Sequence, residues 1–284
     1  MRGVDPAPNV RVAKETANSV VVDGGGGIGV EAMNLATDRA ISLAGQTGMA
    51  AGTVFNTDNL IALAPYVQKA AESGMIALAC SGFRFPVMPP TGGLNGAFGT
   101  NPFAFAAPAG KYPAFLLDMS TSAIAGAKVI EARDRGETLP EGLLEDREGN
   151  PVTDPARFKI GETLLLPMSG VKGYGLTMMV DLLSTVLTGD DKWGHFIWVL
   201  NVEQFMPREQ FVARMDAEIE RIKGTKRKPG VDEIYYAGER GQRRMAKLRA
   251  AGRVNLSGDA VESLRNASES SSVAMPELTA GECQ

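Results

Sequence analysis

One residue type is scarce enough to limit the chemistry open to this chain: its 284 residues include a single histidine, His195. Histidine changes charge near neutral pH without help from its surroundings, so it is the commonest acid or base of a catalytic site. A lone histidine at the start of a strand is nevertheless more often structural than catalytic. The second chemical candidate is a glycine cluster, in which Gly24, Gly26 and Gly29 satisfy G-x-G-x-x-G between a strand and a helix. Such a turn can bring a pyrophosphate up to the N-terminus of the helix. Asp23 argues against that use, because its charge would lie close to the phosphates. No strand-ending acid follows about 20 residues later to take a ribose hydroxyl. We read the cluster as a turn that lets a strand and a helix pack closely, in preference to a dinucleotide site.

The elements that would hold these residues follow a mixed α/β order. Short strands are expected at 20–22, 49–55, 75–81, 103–108, 115–119, 196–199 and 233–236. Helical spacing of apolar residues marks 30–44, 60–73, 124–135, 174–187, 208–223 and 239–251. Thr57 or Asp58 is placed to cap the second of these helices, and Pro65 within it points to a first-turn or kinked position. Residues 1–19 read as an extended lead-in, 20–267 as one integrated domain, and 268–284 as a disordered tail rich in Ser and Glu.

Charge and composition remove several functions. A net charge of −4 gives no electrostatic footprint for nucleic acid or an anionic membrane. The basic run at 223–228 is read as a solvated helix end. No apolar stretch approaches the ~20 residues of a membrane span, and the N-terminus has no signal-peptide core. Cys80 and Cys283 are far apart and form no disulfide framework, so a reducing cytoplasm is the expected compartment. No metal is expected.

A set of segments carries further information through identity, order and spacing. They are VVVDGGGGIG, FGTNPFAFAAP, LLDMSTSAIAGAKV, EDREGNPVTDP, LLPMSGVKGYGL, LTG and AGER, spread over residues 3–267. Together they resemble the malate/L-lactate dehydrogenase family, which is distinct from the Rossmann-type enzymes and includes ureidoglycolate, sulfolactate and diketogulonate oxidoreductases and cyclic-imine reductases. The resemblance implies a non-Rossmann α/β fold with a largely antiparallel central sheet flanked by helices. It also implies a homodimer that uses NAD or NADP to transfer a hydride to or from a small 2-oxo or 2-hydroxy acid. Carried over by motif, Asp118, Met119 and Ser120 resemble a cofactor-contacting strand end. Lys172 resembles a cofactor-side lysine, and Gly238, Glu239 and Arg240 resemble a segment at the cofactor. His195 matches a position beside the cofactor in some members. Read without the resemblance, Asp118 could cap a turn, and Lys172 and Arg240 could be surface charges.

The departures from the family pattern bear on mechanism. The family's Asn-Ser-x-His-Phe-Gly motif reads FNTDNLI here, so Asn59 occupies the histidine slot. Asparagine can polarise a carbonyl by hydrogen bonding, but it does not titrate. Asp58 could substitute as acid or base, although helix capping is its favoured role. Phe83 stands where a polar cofactor contact is expected, and the connection DDKW is short. The chain is expected to begin near the end of a helical segment that carries another histidine and an arginine in members of the family. The resulting expectation is a hydride-transferring oxidoreductase; the alternative is an impaired member that serves as a dinucleotide-binding or dimerisation protein.

Overall fold

A computed structural model describes residues 4–256, 258–271, 273–275 and 277–278. The chain divides into two units, Met1–Glu239 and Arg240–Gln284. The first opens with strands β1 (Arg11–Glu15) and β2 (Ser19–Asp23), helix α1 (Gly29–Thr47), strand β3 (Met49–Phe55) and helix α2 (Ala64–Glu72). Strands β4 (Met75–Phe83), β5 (Phe103–Ala107) and β6 (Phe115–Met119) follow, then helix α3 (Gly126–Asp134). A two-stranded ribbon, β7 (Leu144–Glu145) with β8 (Leu164–Leu165), precedes helix α4 (Val171–Asp181), strand β9 (Trp193–Asn201) and helix α5 (Arg208–Lys223). Helix α6 (Glu239–Ala251) crosses into the second unit, which also contains α7 (Gly258–Ser271).

The sheet runs β1-β2-β3-β9-β4-β5-β6, and β2–β3 is its one parallel pair among the described residues. The fold is therefore mixed α/β with a mostly antiparallel sheet, as expected. Strand β9 lies at the centre although it is the last to arrive in sequence. It pairs with β3 on one side and β4 on the other, so that His195 stands opposite Val54 and Ser81.

Period-two alternation decides which side chains meet the helices. One face presents Val20, Val22, Val54, Ala77, Ala79, Ala104, Ala106, Ile197 and Val199 to α1 and α2, and these residues form the main core. Helix α1 returns Ala32, Met33, Ala36, Ala40, Leu43 and Ala44 at helical spacing, which buries one stripe of an amphipathic helix. The many alanines let helix and sheet approach closely. At Gly52 the approach is close, because an added Cβ would sit 3.2 Å from Ala36 O, Ile197 Cγ2 and Val20 Cγ1. On the opposite face Cys80, Val180 and Phe196 pack together, with Leu183 and Trp198 against them. Helix α4 reaches this face and continues through a wide π turn, Leu182–Val186.

Several expectations need correction. Helix α2 begins at Ala64, later than the expected 60, with Pro65 in its first turn, where the missing N–H costs nothing. Neither Thr57 nor Asp58 caps it. The amides of Leu63 and Ala64 donate instead to Asp118 Oδ2, at 3.2 and 2.8 Å, so the cap comes from β6 across the sheet. No strand forms at 233–236. Among the contacts that hold that segment, Glu233 pairs with Lys223, Tyr236 donates to Pro113 O at 2.8 Å, and Leu116 N donates to Ala237 O at 3.2 Å. The lead-in contains the edge strand β1, which is exposed along its length and changes register between Val12 and Lys14. Helix α7 extends to Ser271, so the expected disordered tail overlaps its end; 279–284, Cys283 included, lie outside the described residues.

The Gly52 contacts give a test of close helix–sheet packing. Gly52→Val should destabilise the protein by about 1–3 kcal/mol, the usual cost of overpacking. Urea denaturation should show a lower midpoint with an unchanged m-value.

Candidate functional site

One end of the sheet gathers most of the singled-out residues. The C-terminal ends of β2, β3, β4 and β6 meet the N-terminal ends of β9 and β5 there, as the pairs Asp23–Phe55, Phe83–Trp193 and Phe103–Met119 show. The loops at this end are the glycine turn, residues 56–61, residues 99–102, residues 118–122 and residues 190–192.

The glycine turn is filled by protein. Gly24 N donates to Phe55 O at 2.9 Å and Gly26 N to Asn56 O at 2.8 Å, while Asp58 N returns a bond to Gly27 O at 3.1 Å. A Cβ on Gly24 would lie 2.7 Å from Thr57 Cβ, and one on Gly25 would lie 2.7 Å from Asn9 N. Pro8 occupies the space beside Gly27. The lead-in thus covers one side and the 56–61 loop the other, which supports the reading of a packing turn. Asp23 anchors this arrangement. Burial opposes its charge, but the Gly25 amide at 3.0 Å, the Asn56 carboxamide at 2.8 Å and the Arg11 guanidinium hold its pKa below the usual carboxylate value.

His195 is fully buried on the face beneath α1. Its Nε2 lies 3.1 Å from Asp58 O and its Nδ1 lies 2.9 Å from Ser81 Oγ. A carbonyl only accepts, so Nε2 carries the proton, Nδ1 accepts, and the Ser81 hydroxyl donates. Burial lowers the imidazole pKa to about 4, against the opposing pull of the Asp58 carbonyl and of the Asp190 and Asp58 charges. The ring is neutral at pH 7, and both of its nitrogens are engaged inside the protein.

Asn59 lies on the neighbouring loop and is exposed. Its Oδ1 accepts Ile61 N at 2.8 Å, and its own amide donates to Asp58 Oδ1 at 2.7 Å. Asn56 (φ 51°) and Ile61 (φ 70°) bound this loop in left-handed conformations, which asparagine adopts readily and which are strained for the β-branched Ile61. Asn56 N is secured by Asp190 Oδ2 at 2.7 Å.

Asp118, Met119 and Ser120 close β6. The Asp118 residue is exposed overall, yet crowding of its carboxyl raises its pKa, and the two α2 amides oppose that rise. Ser120 Oγ is 3.0 Å from Ser122 Oγ. Thr121 ties this segment to α4: Met168 N donates to Thr121 O at 2.9 Å, and the hydroxyls of Thr177 and Thr121 bond at 2.9 Å. Lys172, exposed in the first turn of α4, follows Ser169 (φ 51°) and Gly170 (φ 62°).

The remaining segment is tied elsewhere. Gly238 turns the chain at φ 85°, and Glu239 is buried with both carboxylate oxygens on Lys223 Nζ, at 2.8 and 2.9 Å. Arg240 begins the second unit. Sequence reasoning singled out Phe83 at the sheet end but missed its stacking partner Trp193, together with Ser81 and Asn101. Phe83 and Trp193 stack with centroids 4.3 Å apart and planes at 18°, a contact that depends on strand register. Ser81 is visible only through its histidine partner. Asn101 (φ 36°) is buried, with Nδ2 donating to Thr177 O at 3.2 Å; its place inside FGTNPF is the one signal available.

Comparison with known proteins gives a consistent answer. Residues 1–265 match the family model described as malate/L-lactate dehydrogenase. A malate dehydrogenase from Pyrococcus horikoshii is 35% identical over 260 residues, covering 84% of this chain and 71% of the relative. A ureidoglycolate dehydrogenase (NAD(+)) from Escherichia coli O157:H7 is 32% identical over 254 residues, covering 84% of this chain and 71% of the relative. The crystal structure of malate dehydrogenase from Entamoeba histolytica superposes with a TM-score of 0.88 at 25% identity, covering 96% of this chain and 82% of that one.

The buried imidazole predicts how stability depends on pH. His195 protonates near 6.5 when unfolded and near 4 when folded, so the unfolded state binds more protons between those values. Stability from this group is present above pH 6.5 and is lost as the pH falls toward 4. The loss is roughly 3 kcal/mol. Denaturant titrations over this range should show a shallower slope for His195→Gln than for the parent protein.

Proposed function

The chain belongs to the malate/L-lactate dehydrogenase family, and from that premise we propose that it transfers a hydride between NAD or NADP and a small 2-oxo or 2-hydroxy acid at the sheet end described above. The observation that carries this reading is the gathering there of Asn59 and the β6 terminus at Asp118–Ser120, with Thr121 bonded to Met168 just before α4 and to Thr177 in its second turn, on either side of Lys172 in the chain.

These residues fit a dinucleotide. Lys172 is an exposed cation at a helix N-terminus, where unpaired backbone N–H groups add to the attraction for phosphate. Asp118 offers a carboxylate that can accept from ribose hydroxyls, and Ser120 a hydroxyl that can donate or accept. A bound NAD or NADP would supply or remove the hydride. On the substrate side, Asn59 Oδ1 is engaged with Ile61 N–H, which leaves Nδ2 as the donor to offer a carbonyl oxygen. That bond polarises the carbonyl and stabilises negative charge developing on oxygen. It does not deliver the proton. Asp58, the one carboxyl on this loop, and water are the proton sources left, because His195 is neutral and enclosed.

The same facts favour a second reading, a member that binds a dinucleotide but turns over poorly. Adding NADH or NADPH should quench the fluorescence of Trp193 and Trp198, and a panel of 2-oxo acids should then be reduced. Quenching without turnover establishes the second reading, and absence of quenching removes both. Asn59→His should raise kcat, by up to about 10²–10⁴-fold if it supplies a general acid.

The protein is further read as a homodimer. Support comes from an apolar stripe left exposed along α4 and its continuation, with Met178 41%, Leu182 55% and Val186 51% accessible. Leu182→Glu should convert a dimer to a monomer in sedimentation equilibrium without lowering the monomer's helix content.

A further inference from the structure

We propose that Ser81 and His195 form a positioning pair, which fixes the peptide between Asp58 and Asn59 and so presents the Asn59 carboxamide to the substrate. The proposal rests on the oxidoreductase reading of the sheet end. It assigns His195 a task distinct from both direct contact with a cofactor and simple filling of the core.

Residues 56–61 include Ile61, a β-branched residue in a left-handed conformation, so the loop does not hold its shape by local preference alone. Something outside must determine it. Asp190 secures its start through Asn56 N. At the middle of the loop the external bonds are made by backbone from the glycine turn and by one side chain. Gly29 N donates to Asn59 O at 3.2 Å, Asp58 N donates to Gly27 O at 3.1 Å, and His195 Nε2 donates to Asp58 O at 3.1 Å. The His195 bond acts on the peptide unit that directly precedes the Asn59 side chain.

The donor is itself held in place. Ring orientation and tautomer are both set by Ser81, whose hydroxyl donates to Nδ1 at 2.9 Å from the adjacent strand. Both residues sit on paired central strands, β4 and β9, which are among the best anchored backbone in the protein. The fit above the ring is tight, since a Cβ on Gly29 would lie 3.0 Å from His195 Nε2 and 2.7 Å from Asp58 O. Rigid sheet is thus connected through serine, histidine and one carbonyl to a loop on which Asn59 is exposed and Leu60 is buried in the core. A buried neutral imidazole suits this task, because a second ring proton would remove the acceptor that Ser81 uses.

Amide hydrogen exchange by mass spectrometry on the full chain tests the link without reference to catalysis. His195→Phe keeps an aromatic ring and removes the donor, and His195→Gln restores an N–H that can reach a carbonyl. Peptides covering residues 56–61 should exchange about tenfold faster in His195→Phe than in the parent. His195→Gln should recover most of the protection, and peptides from β4 and β9 should change little in either. Reduction of a 2-oxo acid should fall in kcat by up to about 10²-fold in His195→Phe, with NADH affinity from fluorescence quenching nearly unchanged. Ser81→Ala, a smaller change, should loosen the same peptides to a lesser degree and supplies the comparison if His195→Phe does not fold. Unchanged exchange at 56–61 overturns the proposal. Equal loosening of loop and strands in the Phe and Gln variants also overturns it, since that is the mark of a core residue alone. Loop loosening in a protein whose parent form shows no turnover sinks the oxidoreductase reading and leaves the positioning link standing.

Discussion

The structure depends on the insertion of β9 between β3 and β4. Until residues 193–201 arrive, the two halves of the sheet have no common edge, and the face that α1 and α2 cover is split. Antiparallel pairing on both sides of β9 satisfies its backbone bonds and fixes its register to the residue. A slip by one position would turn Ile197 and Val199 away from α1 and α2, and would move His195 off Ser81. The same pairing that completes the core therefore also sets the geometry of the sheet end. Core and site are not separable here.

Around that strand, small residues do the work that large ones do in many cores. Alanines on the sheet face and on α1, with Gly52 between them, bring helix and sheet into close contact. The glycine turn extends the same logic to the end of the sheet, where Asn9, Pro8 and Thr57 occupy the space that side chains would need. A phosphate-binding turn leaves its glycines open to the ligand, and this one closes them against its own chain. Asp23 completes the difference by directing its carboxylate into the turn and onto Gly25 N.

The strands and helices with strong periodicity were legible from sequence: β3, α5 and α6 occur at the expected residues, and most other elements are displaced only at their ends. Legibility failed where long-range contacts override local signals. The segment 233–236 has β-branched and aromatic residues and runs up to the edge strand β6, where Leu116 N donates to Ala237 O, yet it forms no strand, and Lys223 takes Glu233 into an ion pair. Asp58 precedes a helical pattern and looks like a cap, yet the cap is Asp118, which no local rule could supply. At the site, the exposed Asn59 follows directly from its place in the motif. The burial of His195 does not, because it depends on which residues of β3 and β4 lie opposite. The Phe83–Trp193 stack has the same origin.

The chemistry left to this site follows from where its polar groups are already committed. Hydride transfer to a carbonyl needs charge stabilisation on oxygen and then a proton, and the two needs are separable. In the proposed reaction Asn59 Nδ2 would meet the first, since the bond from Ile61 N to Oδ1 sets which way the carboxamide faces. In that reaction the second would not come from His195, which gives its one N–H to Asp58 O and holds no second proton near neutral pH. On this proposal the imidazole contributes through the loop it holds rather than through its titration. A buried histidine and an exposed asparagine would then divide a task that one exposed histidine could perform alone, with orientation retained and proton transfer left to groups outside the pair.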